Sequence, residues 1–265
     1  MVEDQIRTEL DEVLELNNPE TLLSRATHFG TGTPDGYLNR QIETSEGAVI
    51  AGIRHLGGDK DKPFIFIWPS FDTRLIKNVI DEITPHFSLF QPLYYNYWCR
   101  PEKNLKNEQV FQQRFIGSII EMTKADTTPL VPADDYWNWY EAEYRDFHQQ
   151  NPEYKYRIPI NDRETMEQSR QEGLLYFFMH NNQKAGLIAG EQEIFLGKPS
   201  VYLNEILISS SFKGQGLANR MLASFVATLE ADYFNCNIDV ENIPSTRTAL
   251  RSGQKIFSQE VFVSF

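Results

Sequence analysis

Cysteine is almost absent from this sequence: Cys99 and Cys236 are the only two in 265 residues. Two distant cysteines build neither a disulfide framework nor a thiolate metal site, and they suit a reducing compartment. The five histidines are scattered, and none stands at metal-ligand spacing, so no metal is expected. No apolar run approaches the roughly 20 residues that a membrane-spanning helix needs. The opening stretch MVEDQIRTELDEV is acidic and amphipathic, unlike a secretory signal. Excess positive charge is missing as well: the net charge is −12, with acidic residues spread along the chain. Such a field repels nucleic acid and anionic membranes. These absences predict a soluble cytoplasmic protein that engages neither, with a homodimer as the assembly allowed for.

What is present points to packed structure. Hydrophobic residues make up 41% and aromatics 13%, which excludes a disordered chain. The length accommodates one large domain or two small ones. Residues 2–27 read as helical, with Ile6, Leu10, Val13 and Leu14 on one stripe and a restart near Pro19. Strands are expected at about 48–55 and 63–68, then a helix near 72–83. LFQPLYYNYW and RFIGSIIEM read as further strands, the first interrupted by Pro92. The turn-rich segment TKADTTPLVPADD places a domain boundary near residue 123, giving domains 1–122 and 123–265.

The second domain opens with an aromatic helix, 133–148, and a second helix capped by Asn161 or Asp162 and ended by Gly173. Three strands, a helix over 215–230, a strand, a short helix over 244–252 and a last strand over 255–264 complete it. The aromatic stripe Tyr136, Tyr140, Tyr144, Phe147 is at helical spacing and reads first as packing, with an acceptor-lining role as the alternative.

SFKGQGLANRML, residues 211–222, joins the strand VYLNEILIS to an amphipathic helix. Glycines there allow a tight turn and close approach of a ligand to the backbone. The amides of Gln215 to Ala218 would face outward from a helix start, an end that attracts anions. A plain strand–helix turn is the alternative. A dinucleotide fingerprint is disfavoured by Asn219 at its sixth position, and a phosphate-binding Gly-Lys-Ser/Thr loop is excluded by spacing.

KGQGLANRML resembles the acyl-CoA-binding signature of the GNAT superfamily of N-acetyltransferases. Lys213 stands at the basic position, Gly216 at the glycine and Ala218 at the last small residue; lysine keeps the charge but loses a forked donor. Downstream, Asn242, Ser245 and Gly253 in NIDVENIPSTRTALRSG follow the family spacing. The resemblance covers about residues 123–265 and implies a mixed, mostly antiparallel twisted sheet flanked by helices, an α/β (α+β) fold. It implies that Lys213, Gly214, Gln215, Gly216, Leu217 and Ala218 cradle the pyrophosphate of acetyl-CoA or another acyl-CoA. Leu207 and Ile208 of strand 203–208 would pair with the pantetheine arm, flanked by Asn242 and Ser245. The expected reaction is acyl transfer to an amine of a small molecule or peptide in a ternary complex, with a strand amide stabilising the oxyanion.

The resemblance further implies a carboxylate base on the central strand. Asn204 and Glu205 are the polar neighbours there, expected on opposite sheet faces. Glu205, the only carboxylate of the run, is the nominated base, with a surface charge as the alternative and Glu191 and Glu193 in reserve. Ala249 occupies the place of the family's tyrosine acid, leaving Ser245, Ser252 or water to protonate the thiolate. A non-catalytic acyl-CoA-binding sensor or scaffold is therefore the rival reading. The first half reads either as a degenerate GNAT-like half or as an unrelated α+β domain; its strand–helix joint, IFIWPSFDTRLIKNVI, has no glycine.

Overall fold

The structure, a computed structural model, describes residues 13–101, 108–122, 130–155 and 157–265. The first part of the expected helix 2–27, with Ile6 and Leu10, and the boundary expected near residue 123 fall outside the described residues. The element order is α1 (Pro19–Phe29), β1 (Arg40–Thr44), β2 (Gly47–His55), β3 (Pro63–Pro69), α2 (Ile76–Ile83), β4 (Tyr94–Cys99) and β5 (Glu108–Ser118). There follow β6 (Leu130–Pro132), α3 (Trp137–Gln150), α4 (Arg163–Gln171), β7 (Leu175–His180), β8 (Gln183–Phe195) and β9 (Lys198–Ile208). The chain closes with α5 (Leu217–Val226), β10 (Tyr233–Asp239), α6 (Ile243–Arg251) and β11 (Lys255–Ser264). From α3 onward this is the order expected from the sequence. Among the described residues no helix is long and apolar enough to cross a membrane.

By packing, the described residues form two compact units, one running to Gln113 and including Ser258–Phe265, the other spanning Arg114–Phe257. The first has the strand order β1-β2-β3-β4-β11. Its neighbours are antiparallel except β3 and β4, which α2 joins as a parallel pair. Helix α1 starts where the Asn18 side chain accepts from the Thr21 amide and stops at left-handed Gly30. Ile53, Ile65, Ile67, Tyr97 and Val261 line one sheet face against Ile76, Val79 and Ile83 of α2, alternating residues of each strand reaching the same core.

The second unit has the order β6-β7-β8-β9-β10-β5. Its strands β6 to β9 are antiparallel neighbours, and β9 and β10 are parallel, joined through α5. Alternation along β8 decides what covers each face. Ile188, with Phe178 and Val201, packs under Leu217, Met221, Leu222 and Phe225 of α5. Leu187 and Ala189 point the other way, to Tyr140 and Tyr144 of α3 and Met166 of α4. Both units thus repeat one pattern: three antiparallel strands, a crossover helix and a parallel fourth strand.

Several helices are shorter than their apolar spacing suggests. Thr73–Leu75 forms a separate 3-10 turn, started by the Asp72 side chain, before α2 begins. Helix α5 ends at Val226 rather than residue 230, and β5 ends at Ser118, where Glu121 and Met122 donate back to the Ser118 carbonyl in a turn.

Candidate functional site

The parallel pairing of β9 with β10 covers only Ser200–Tyr202 opposite Tyr233–Asn235. The remaining lengths of both strands, to Ile208 and Asp239, lie beyond that ladder. Strands that cease to pair leave edge amides and carbonyls for another partner. Leu207 and Ile208 of β9 pair with Leu187 and Gly186 of β8 on the other edge, so this stretch of strand is held in place from one side.

The loop from β9 to α5 stands at the same end. Gly214 and Gly216 have φ of 79° and 73°, the left-handed region that glycine adopts without strain. A Cβ added at either would meet nothing within 4 Å, so the space beside both is open. Gly216 caps α5 with no side chain on its amides. Among the described residues, the amides of Gly214, Gln215, Gly216, Leu217, Ala218 and Asn219 make no hydrogen bond. A run of free donors on a positive helix end is the arrangement that binds a phosphate. The corresponding joint of the first unit differs: Ser70 and Leu75 donate to Ala48 and Asp72 carbonyls, and the Asp72 carboxylate takes the Arg74 amide.

Helix α3 fixes that loop. Glu143 accepts from the Ser209 hydroxyl (2.9 Å) and the Ser210 amide (3.3 Å). The Lys213 ammonium lies 4.8 Å from the Phe147 ring centre. Farther along the chain, Asn242 caps α6 by accepting from the Ser245 amide at 3.3 Å. Ala249 is buried with Phe115, Cys236 and Ile238, and Ser252 spends its hydroxyl on the Ala249 carbonyl.

Asn204 and Glu205 do not point to opposite faces. The β8–β9 register jumps from Ala189–Glu205 to Gly190–Leu203, so Asn204 is the extra residue of a bulge. That extra residue breaks the alternation and turns both side chains toward α3 and α4. Asn204 Nδ2 donates to Ser169 of α4 and to Glu191, both at 3.2 Å. Glu205 is 7% exposed, not a surface charge. Its Oε2 accepts from Tyr140 (2.5 Å) and Tyr144 (2.8 Å), with the Asn161 amide group at 3.4 Å. Its Oε1 takes the Ile206 amide at 2.9 Å. Burial pushes the Glu205 carboxyl above the ordinary range, against the pull of these donors. Both tyrosines are pushed up too, first by burial and then by Glu205.

The two reserve carboxylates are engaged otherwise, Glu191 by Asn204 and Glu193 by buried Asn235. The sequence reading missed Tyr140, Tyr144 and Asn161 as partners of Glu205. Their helical spacing registers only packing, and the hydroxyl ends become informative once α3 lies over β9. It also missed Arg157, which holds Asp239 at the end of β10 through paired hydrogen bonds and reaches Glu241. No group of three metal-ligating side chains occurs among the described residues.

No family model matches the chain, and no curated protein matches it. Solved structures do. A GCN5-related N-acetyltransferase from Sphaerobacter thermophilus is similar with a TM-score of 0.53 at 12% identity, over 82% of this chain and 76% of that one. An acetyltransferase of the GNAT family from Colwellia psychrerythraea gives 0.50 at 12% identity, over 76% and 77%. These shares exceed what the second unit alone supplies. The chain shares its fold with these two acetyltransferases: a mixed, mostly antiparallel sheet flanked by helices.

Proposed function

We propose that this chain is an acyl-CoA-dependent N-acyltransferase, in which an amine attacks the thioester carbonyl of acetyl-CoA or a related acyl-CoA while both substrates are bound. The observation that carries this reading is the set of free amides from Gly214 to Asn219 beside the unpaired end of β9. They suit a diphosphate, and the Lys213 charge adds to the field there. The open edge of β9 near Leu207 and Ile208 suits an extended arm with amide groups, and Asn242 and Ser245 bound it from α6.

The amine loses a proton as its nitrogen takes the acyl group, and the CoA sulfur leaves as a thiolate. Glu205 receives that proton through the groups that cover it. Tyr140 passes its own proton to Oε2 as its oxygen accepts the incoming one. Asn204 holds the bulge that aims Glu205 at the tyrosines. Ser245 or water protonates the thiolate, since Ala249 carries no acid.

A second reading, a non-catalytic acyl-CoA binder, is favoured by one observation: every oxygen of Glu205 already has a donor. Calorimetric titration with acetyl-CoA, followed by a free-thiol assay against a panel of amines, separates the two. Binding with thiol release supports the transferase, binding alone the sensor, and no binding removes both. Gly216→Asp places a carboxylate where the phosphate belongs and abolishes acetyl-CoA binding with the fold retained. Glu205→Gln lowers turnover with little change in acetyl-CoA affinity.

A further inference from the structure

Seven buried side-chain nitrogen or oxygen atoms of the described residues have no hydrogen-bond partner, and four of them fall between residues 25 and 40: Arg25 Nη1, Tyr37 Oη, Asn39 Oδ1 and Arg40 Nε. Three of the four are donors. Buried donors left without acceptors are uncommon, because each retains its desolvation cost with nothing in exchange. Tyr37 is fully buried, so its hydroxyl is not exposed to bulk solvent.

Arg25 and Tyr37, two of the four, belong to one neighbourhood of the first unit. Arg25, His28 and Phe29 share a face of α1 at the i, i+3, i+4 spacing. The Phe29 ring stacks on His55, at the end of β2, with centroids 3.8 Å apart. Tyr37, from the 3-10 turn Pro34–Tyr37, lies 6.1 Å from His55 and 6.2 Å from Phe29. Arg54 precedes His55 and is close enough to Arg25 for the two charges to repel. Among the described residues neither arginine has an ion pair. Asp59 is the carboxylate that acts on His55, and it is already paired with Lys62 at 3.2 Å. A chain of net charge −12 has no shortage of carboxylates, yet among the described residues these two arginines have gathered none of their own.

We propose that the first unit binds a small oxyanion of the phosphate type between α1 and the end of β2, with Arg25 Nη1 and the Tyr37 hydroxyl donating to its oxygens, Arg54 supplying the field, and His28 and His55 beside it. A cation is repelled by the same charges. Water would satisfy the donors but leave the arginines uncompensated. An anion with more than one negative charge and several acceptor oxygens answers both deficits. This site lies in the other unit from the glycine loop and does not depend on the acyl-CoA reading.

The test uses full-length protein carrying Gly216→Asp, so that the loop of the second unit does not take up the probe. Inorganic phosphate is titrated at constant ionic strength, read by calorimetry and by the imidazole NMR signals of His28 and His55. The groups facing His55 are His28 and Arg25 on α1, which lower its pKa as burial does, and Asp59, which raises it. A bound phosphate favours the imidazolium, so the His55 titration moves to higher pH as phosphate saturates. Arg25→Met weakens phosphate at least tenfold. Tyr37→Phe, which removes one oxygen and keeps the ring, weakens it severalfold. The proposal is overturned by no saturable response, by a response that chloride or acetate reproduces, or by Tyr37→Phe binding phosphate as tightly as its parent. Failure of acetyl-CoA to bind the unmodified chain would leave this outcome untouched.

Discussion

At the scale of single residues, Glu205 has the most to lose. A carboxyl buried in an apolar sheet face is tolerated because Tyr140, Tyr144 and the Ile206 amide together occupy its oxygens. Replacing both tyrosines by phenylalanine removes two donors and leaves the rings. Each lost donor is expected to cost on the order of 1–3 kcal/mol while Glu205 is ionised. Donors to a carboxylate lower its pKa, so the double variant raises it further, and infrared titration of the protonated carboxyl should show that rise. Glu260 supplies a second test. Burial raises its pKa from 4.5 to about 7, opposed by a hydrogen bond from Asn96. The folded state then holds a proton that the unfolded state has released. Its contribution to stability is complete below about pH 4.5 and is lost as pH rises through about 7. Urea melts of Glu260→Gln at pH 5 and pH 8 should lack that decline and show the variant relatively more stable at the higher pH.

At the scale of elements, α3 does the positioning. One face of it carries Tyr140, Glu143, Tyr144 and Phe147, and these meet Glu205, the turn Ser209–Ser210 and Lys213. The same helix that packs the core therefore sets both the buried carboxyl and the approach to the glycine loop. Helix α6 is set by its cap instead. Asn242→Ala removes the acceptor of the Ser245 amide, and the expected loss is about 1 kcal/mol. Thermal melting should show that loss, and acetyl-CoA affinity should fall with it because Ser245 is released. An unchanged affinity would remove α6 from the binding site.

At the scale of the whole molecule, the chain order and the packing order differ. Strand β5 begins in the first unit and ends in the second, while β11 begins in the second and ends in the first. Val261 is fully buried in the first unit's core and pairs with Tyr97 of β4. Val261→Ala is expected to cost about 2 kcal/mol. Hydrogen exchange should speed up in β2, β3 and β4, far from Val261 in sequence, and remain slow in β8 and β9. Uniform acceleration across the chain would mean that the two units unfold as one.

Sequence alone determined the elements whose signals are local. The continuous β-branched runs gave β2, β3 and β9, the Asp162 cap and Gly173 bounded α4, and two glycines before an amphipathic run marked the loop that α5 presents. The short polar strand β1 and the early end of α5 escaped, because neither leaves an apolar period long enough to read. Tertiary structure decided what depends on register. A single extra residue at Asn204 reversed which face Glu205 serves, and only the crossing of α3 over β9 made the tyrosines its partners. The orphaned donors of Arg25 and Tyr37 belong to the same class, since a want of counter-charge among the described residues exists only once α1 and β2 have been brought together.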